Sequence, residues 1–163
     1  MSLRIIATGG TFDKSYDALT GNLIFVDSVL PAALARARVT TPFSFEPLLA
    51  LDSLDMTEAH RAQILAACER SAERHIVIIH GTDTMRETAQ VIGQARLQKT
   101  IVLTGAMVPY RVAESDALFN LGFATAAAQL SVPGVYVAMN GQIFAWDKVR
   151  KNKTAGVFEH TSG

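Results

Sequence analysis

Hydroxyl-bearing residues stand beside glycine in three short runs of this chain, Thr8-Gly9-Gly10-Thr11, His80-Gly81-Thr82-Asp83-Thr84 and Thr104-Gly105-Ala106-Met107, and Asn140-Gly141 is a fourth glycine-containing run. Each follows a short apolar stretch. Glycine lets the backbone turn sharply and lets a ligand approach peptide N–H groups, while a threonine hydroxyl can attack a carbonyl carbon. That combination suits acyl transfer. Each fragment also has a plainer reading: Gly9-Gly10 makes a tight turn, and Thr82 to Thr84 supplies N-cap residues to the segment that follows. The chemistry requires that the runs meet in space.

Other site types fit the residues less well. Neither Gly-x-Gly-x-x-Gly nor a phosphate loop ending in Gly-Lys-Ser/Thr is present, and the Gly-x-Ser-x-Gly elbow is absent. His60, His75, His80 and His160 lack metal-ligand spacing and there is one thiol, so no metal and no cofactor is expected. His80 closes a buried-looking strand, which favours a core residue over a catalytic base.

The elements that must position these groups alternate. Leu3 to Ala7, His75 to His80, Thr100 to Thr104 and Val135 to Met139 are apolar enough for strands covered on both faces, with a further strand near Thr41 to Phe45. Helical segments run from a Ser28 cap to about Arg38, from a Thr57 cap with His60 to about Ser71, and over Thr84 to Arg96 and Ser115 to Gln129. Phe12 to Val26 reads as a mobile hairpin or lid loop, and Pro42 and Pro47 mark a turn-rich edge. The alternation predicts an α/β fold: a three-layer, largely parallel open sheet with helices on both faces. In such a sheet ligands bind beyond the carboxyl ends of the strands, where the glycine runs fall.

With 163 residues, 49% hydrophobic and 18% charged, residues 1–163 are expected to form a single domain without a second one. Lys+Arg and Asp+Glu both total 15, so nucleic acid and anionic membrane surfaces are not expected partners. Cys68 has no second thiol to pair with, no signal-peptide layout precedes Leu3, and no apolar run reaches the roughly 18 residues of a membrane span. A soluble, cytoplasmic protein is the expectation. The apolar surface share also favours a symmetric homo-oligomer.

The segments Ile5-Ile6-Ala7-Thr8-Gly9-Gly10-Thr11 and His80-Gly81-Thr82-Asp83-Thr84-Met85 resemble the two signature segments of the bacterial-type L-asparaginases. Asp52-Ser53-Leu54-Asp55-Met56, Leu103 to Pro109, and Met139-Asn140-Gly141 through Lys151-Asn152-Lys153-Thr154 resemble three further blocks in the same order. The resemblance implies a flavodoxin-like asparaginase N-terminal domain, like the short members that consist of that domain alone. It implies hydrolysis of L-asparagine to aspartate and ammonia through a threonine acyl-enzyme. Glutaminase or amidotransferase-type hydrolysis and a non-catalytic amino-acid-binding domain are the alternatives.

Position by position, the resemblance implies Thr11 as nucleophile, Tyr16 as the lid tyrosine, and Thr82, Asp83 and Lys151 as a second catalytic group. Gly10, Ser53, Asp83 and the Ala106 carbonyl are the implied substrate-binding groups. Lys148 and Lys153 stay open as alternatives to Lys151. Most members are about twice as long, with a second domain completing the site, so weak substrate affinity is expected of the domain alone.

Overall fold

Runs of β-branched and aliphatic residues can be buried on both faces of a sheet, and the computed structural model, which describes residues 1–161, places them there. In chain order the strands are β1 (Leu3–Gly9), β2 (Lys14–Asp17), β3 (Asn22–Phe25), β4 (Phe43–Leu51), β5 (His75–Ile79), β6 (Thr100–Thr104), β7 (Gly134–Met139), β8 (Gln142–Ala145), β9 (Val149–Asn152) and β10 (Val157–His160). The helices are α1 (Leu30–Arg36), α2 (Glu58–Arg70), α3 (Met85–Gln94) and α4 (Ala117–Leu130). Six strands form one sheet in the order β4-β1-β5-β6-β7-β8, and every neighbour is parallel except β8. The first five follow the flavodoxin-like order, in which the chain reverses direction across the sheet between β1 and β5. Their carboxyl ends carry Gly9-Gly10-Thr11 and His80-Gly81-Thr82.

Alternation along β1 divides the core. Leu3, Ile5 and Ala7 pack with α1 and α4 through Leu30, Leu34, Ala124 and Ala128, whereas Ile6 packs with α2 and α3 through Ile64, Ala67, Ala89 and Ile92. The sheet therefore has helices on both faces. Each aliphatic side chain removed from water in this way contributes about 2 kcal/mol before entropy is counted.

Several local expectations hold in detail. Thr57 and His60 make a reciprocal capping box at the start of α2. The Phe12 to Val26 segment is a hairpin with Lys14 paired to Phe25 and Asp17 to Asn22. Others shift for identifiable reasons. The strand expected at Thr41 to Phe45 covers Phe43–Leu51 and contains Pro47, which is tolerated because β4 lies at the sheet edge. Helix α1 starts at Leu30, and its entry is held mainly from outside: the buried Asp13 carboxylate accepts the Val29 N–H at 2.8 Å and the Ser28 hydroxyl at 3.0 Å.

The stretch after Met139 holds three strands that the apolar periodicity does not predict. Asn140 and Gly141, with φ of 54° and 71°, form the two-residue turn of the β7–β8 hairpin, for which Asn-Gly is the preferred pair. β9 and β10 then form an antiparallel pair, and Asn140 Oδ1 accepts the Phe158 N–H at 2.8 Å, fastening β10 to the end of β7.

Candidate active site

Three turns from different parts of the chain are packed at van der Waals limits at the carboxyl end of β1 and β5. Gly10 has φ 78°, and a methyl group on it would collide with the Gly81 backbone; a methyl on Gly81 would stand 2.5 Å from Ser53 Cβ. Both positions need glycine because another backbone or side chain occupies the space a Cβ would fill. Thr11 and Thr82 each follow one of the touching glycines directly. The two threonines, far apart in sequence, thus lie on one rim of the sheet.

Lys151 reaches this rim from β9. Its ammonium donates to Thr82 Oγ1 at 2.8 Å and to Asp83 Oδ1 at 2.8 Å, with its side chain 12% exposed and that of Asp83 34% exposed. Of the three lysines in the 148–153 segment, Lys151 is the one that makes these contacts. The Thr82 hydroxyl also lies 3.7 Å from Met107 Sδ. By contrast, the Thr11 hydroxyl makes no hydrogen bond among the described residues, and the backbone N–H groups of Thr11 and Thr82 meet no protein acceptor there.

Ser53 is buried, at 1% exposure, on a short helical turn (Ser53–Asp55) that follows β4. Its hydroxyl oxygen accepts the Thr84 N–H at 3.3 Å, and its carbonyl accepts the Thr84 hydroxyl at 2.7 Å. Thr84 occupies the N-cap position of α3 without making a side-chain cap, so the purely local reading of Thr82 to Thr84 fails: Thr84 anchors a distant turn instead. Ala106 is buried and its carbonyl accepts no hydrogen bond among the described residues.

The turn carrying Ala106 is held by two residues that sequence reasoning missed. The Asp116 carboxylate accepts the N–H groups of Met107, at 3.0 Å, and Val108, at 3.0 Å, while Asn120 Nδ2 donates to Asp116 at 3.0 Å and to the Gly105 carbonyl at 2.9 Å. Their signal is an Asp and an Asn four positions apart where α4 begins, a spacing that puts both on one helix face. Tyr16, on β2, is 64% exposed, and its phenolic hydroxyl makes no hydrogen bond among the described residues.

His80 is fully buried between the Gly81 carbonyl, 2.7 Å from Nδ1, and Thr88 Oγ1, 2.7 Å from Nε2. Burial pushes its pKa from the usual 6.5 down to about 4. A neutral imidazole enclosed in this way is a structural residue supporting the Gly81 turn.

The domain that carries this rim has counterparts among known proteins. The family description "Asparaginase, N-terminal" matches residues 2–162. The chain belongs to the asparaginase family and corresponds to its N-terminal domain. A solved L-asparaginase from Thermococcus kodakarensis superposes with a TM-score of 0.88 at 29% identity, covering 98% of this chain and 51% of that one. The 60 kDa lysophospholipase of Mus musculus is 38% identical over 129 residues, covering 76% of this chain and 22% of that protein. A glutamyl-tRNA(Gln) amidotransferase polypeptide of Methanococcus maripaludis is 32% identical over 152 residues, covering 86% of this chain and 35% of that protein. The chain thus spans between about a fifth and a half of the relatives it matches. An asparaginase-family α/β domain is what family and fold establish. Among the described residues no helix is long and apolar enough to cross a membrane.

Proposed function

We propose that this domain hydrolyses the side-chain amide of L-asparagine to L-aspartate and ammonia, with Thr11 as the nucleophile. The observation that carries the reading is the Lys151–Thr82–Asp83 cluster beside the Gly10–Gly81 contact, which sets a charged proton-handling group next to a second, unengaged threonine.

Thr11 Oγ would form a bond to the amide carbon while the carbonyl π pair moves onto oxygen and the hydroxyl proton passes through Thr82 to the neutral amine of Lys151. The resulting oxyanion would be met by the unengaged N–H groups of Thr11 and Thr82, each such donor being worth about 3 kcal/mol in acyl transfer. Protonation of the amide nitrogen releases ammonia and leaves an aspartyl ester on Thr11; water then attacks the ester, returns the proton to Thr11 and frees aspartate. Lys151 can accept a proton only when neutral. In this reading its amine, hydrogen-bonded to Thr82 Oγ1 and to Asp83, lies on the proton path through Thr82.

In this reading Asp83 faces the substrate ammonium, the Ser53 hydroxyl faces the α-carboxylate, and the Ala106 carbonyl takes the amide N–H. Asparagine and glutamine differ by one methylene, worth about 1–3 kcal/mol of discrimination. Closure of the β2–β3 hairpin would bring Tyr16 towards Thr11 and exclude water. We place the protein in the cytoplasm, on its lone buried Cys68, and propose a homo-oligomer.

The test is ammonia release from asparagine and from glutamine by the wild type beside Thr11→Val, which keeps the shape of the side chain and removes its hydroxyl. At least a hundredfold loss in Thr11→Val is expected, on the order of what a nucleophile contributes. Full activity in Thr11→Val together with an inactive Thr82→Val would move the nucleophile to Thr82. Asparagine binding without ammonia release by the wild type would make the domain a binding module.

A further inference from the structure

The β2–β3 hairpin is a two-stranded sheet of its own, a unit with little independent stability in water. Its base is pinned by Asp13, which bonds Ser28 and Val29 on the far side of the loop. Beyond that base, one polar contact joins the hairpin to the rest of the described residues: Lys14 Nζ meets Asp52 Oδ2 at 2.6 Å. The pair is half-sheltered, with side-chain exposures of 16% and 38%, and the ammonium also lies 5.4 Å from the centre of the Phe25 ring, its cross-strand neighbour. Asp52 in turn caps the next turn, its Oδ1 accepting the Leu54 N–H at 3.2 Å, and Ser53 is the residue between them.

We propose that Lys14 and Asp52 are positioning residues for the hydrolysis, an ion pair that sets the hairpin carrying Tyr16 and the turn carrying Ser53 as one unit. One carboxylate serves both sides: Oδ2 holds the lid strand and Oδ1 holds the substrate-side turn. On its far side the turn is anchored through Thr84, and Lys14 ties its Asp52 side chain to the hairpin. Lys14 keeps the Asp52 carboxyl below its ordinary range, so the link persists at neutral pH. Isolated ion pairs of this exposure add little to global stability, and the consequence expected here is registration of two loops rather than a more stable fold.

Two single variants separate the link from its surroundings. Lys14→Met keeps the aliphatic stem over Phe25, and Asp52→Asn keeps an oxygen to cap Leu54. Each is expected to raise KM for asparagine about tenfold with a smaller fall in kcat, and the double variant to be no worse than the worse single, as for one shared interaction. Lys14→Arg, which keeps a cationic donor for Asp52 Oδ2 and leaves the Leu54 cap untouched, is expected to keep KM near the wild-type value. Hydrogen exchange followed by mass spectrometry supplies a reading that needs no turnover: Lys14→Met should speed exchange in 14–25 and in 53–56 together.

The kinetic arm rests on the proposed asparagine hydrolysis and the exchange arm does not. A wild type that releases no ammonia while Lys14→Met loosens both segments would overturn the asparagine reading and keep the link. Faster exchange in 14–25 with 53–56 unchanged, or independent additive losses in the two singles, would overturn the link itself.

Discussion

His80 gives the fold an acid-sensitive element whose size follows from its burial. In the unfolded chain its imidazole takes up a proton near the ordinary value of 6.5, whereas in the fold the fully buried ring resists protonation down to about 4. Because the neutral form is the one the fold accepts, the contribution is complete above about pH 6.5 and is lost as pH falls towards 4. At 1.36 kcal/mol per unit the whole window is worth about 3 kcal/mol, of which about 2 kcal/mol is lost between roughly pH 7 and pH 5. Asp52 and Glu73, held below the ordinary carboxylate range mainly by Lys14 and by the Ser44 hydroxyl, surrender their contributions at lower pH, so the upper window isolates His80.

The assay is urea unfolding followed by far-ultraviolet circular dichroism across that range, on the wild type and on His80→Gln. The glutamine amide reaches the position of Nε2, beside Thr88 Oγ1, and does not titrate. The wild type is expected to lose about 2 kcal/mol and the variant less than about 0.5 kcal/mol beyond any constant offset. Equal pH slopes in the two proteins, or a resonance assigned to the His80 imidazole that titrates near 6.5 in the folded wild type, would refute the reasoning.

Lys151→Met, which keeps the stem and removes the charge, is expected to lower kcat for ammonia release by on the order of 10²–10⁴ while Lys148→Met and Lys153→Met stay near wild type, as steady-state kinetics will show. Gly81→Ala pushes a methyl against Ser53 Cβ and is expected to cost about 1–3 kcal/mol, read as a lowered Tm by circular dichroism. Asp116→Ala frees the Met107 and Val108 N–H groups and should raise KM several-fold through loosening of the Ala106 turn, measured with asparagine as varied substrate. Thr57→Ala removes half of a capping box far from the site and should cost about 1 kcal/mol in urea unfolding without changing kcat.

Much of this is legible in the chain as written. The apolar runs at Leu3, His75, Thr100 and Val135 have to be covered strands, because a run without polar alternation cannot present one face to water. The Thr57–His60 box and the Asn140-Gly141 turn are local chemistry, settled within four residues. The glycine-hydroxyl runs identify candidate residues of the site, and parallel strands oblige runs that follow them to share one end of the sheet. Contacts between distant segments are another matter. Lys151 cannot be told from Lys148 or Lys153 by sequence, since which lysine reaches the sheet end depends on how the β9–β10 pair is held there, with distant Asn140 bonding Phe158, the cross-strand partner of Lys151. Thr84 reads as a cap and proves to be an anchor for Ser53; Asp116, Asn120, Lys14 and Asp52 read as ordinary surface polar residues until their partners stand beside them. Sequence determines what each side chain can donate, accept or bury. Only the tertiary structure decides which partner it meets, because many of those partners lie tens of positions away and are brought into reach by the packing of both helical layers on the sheet.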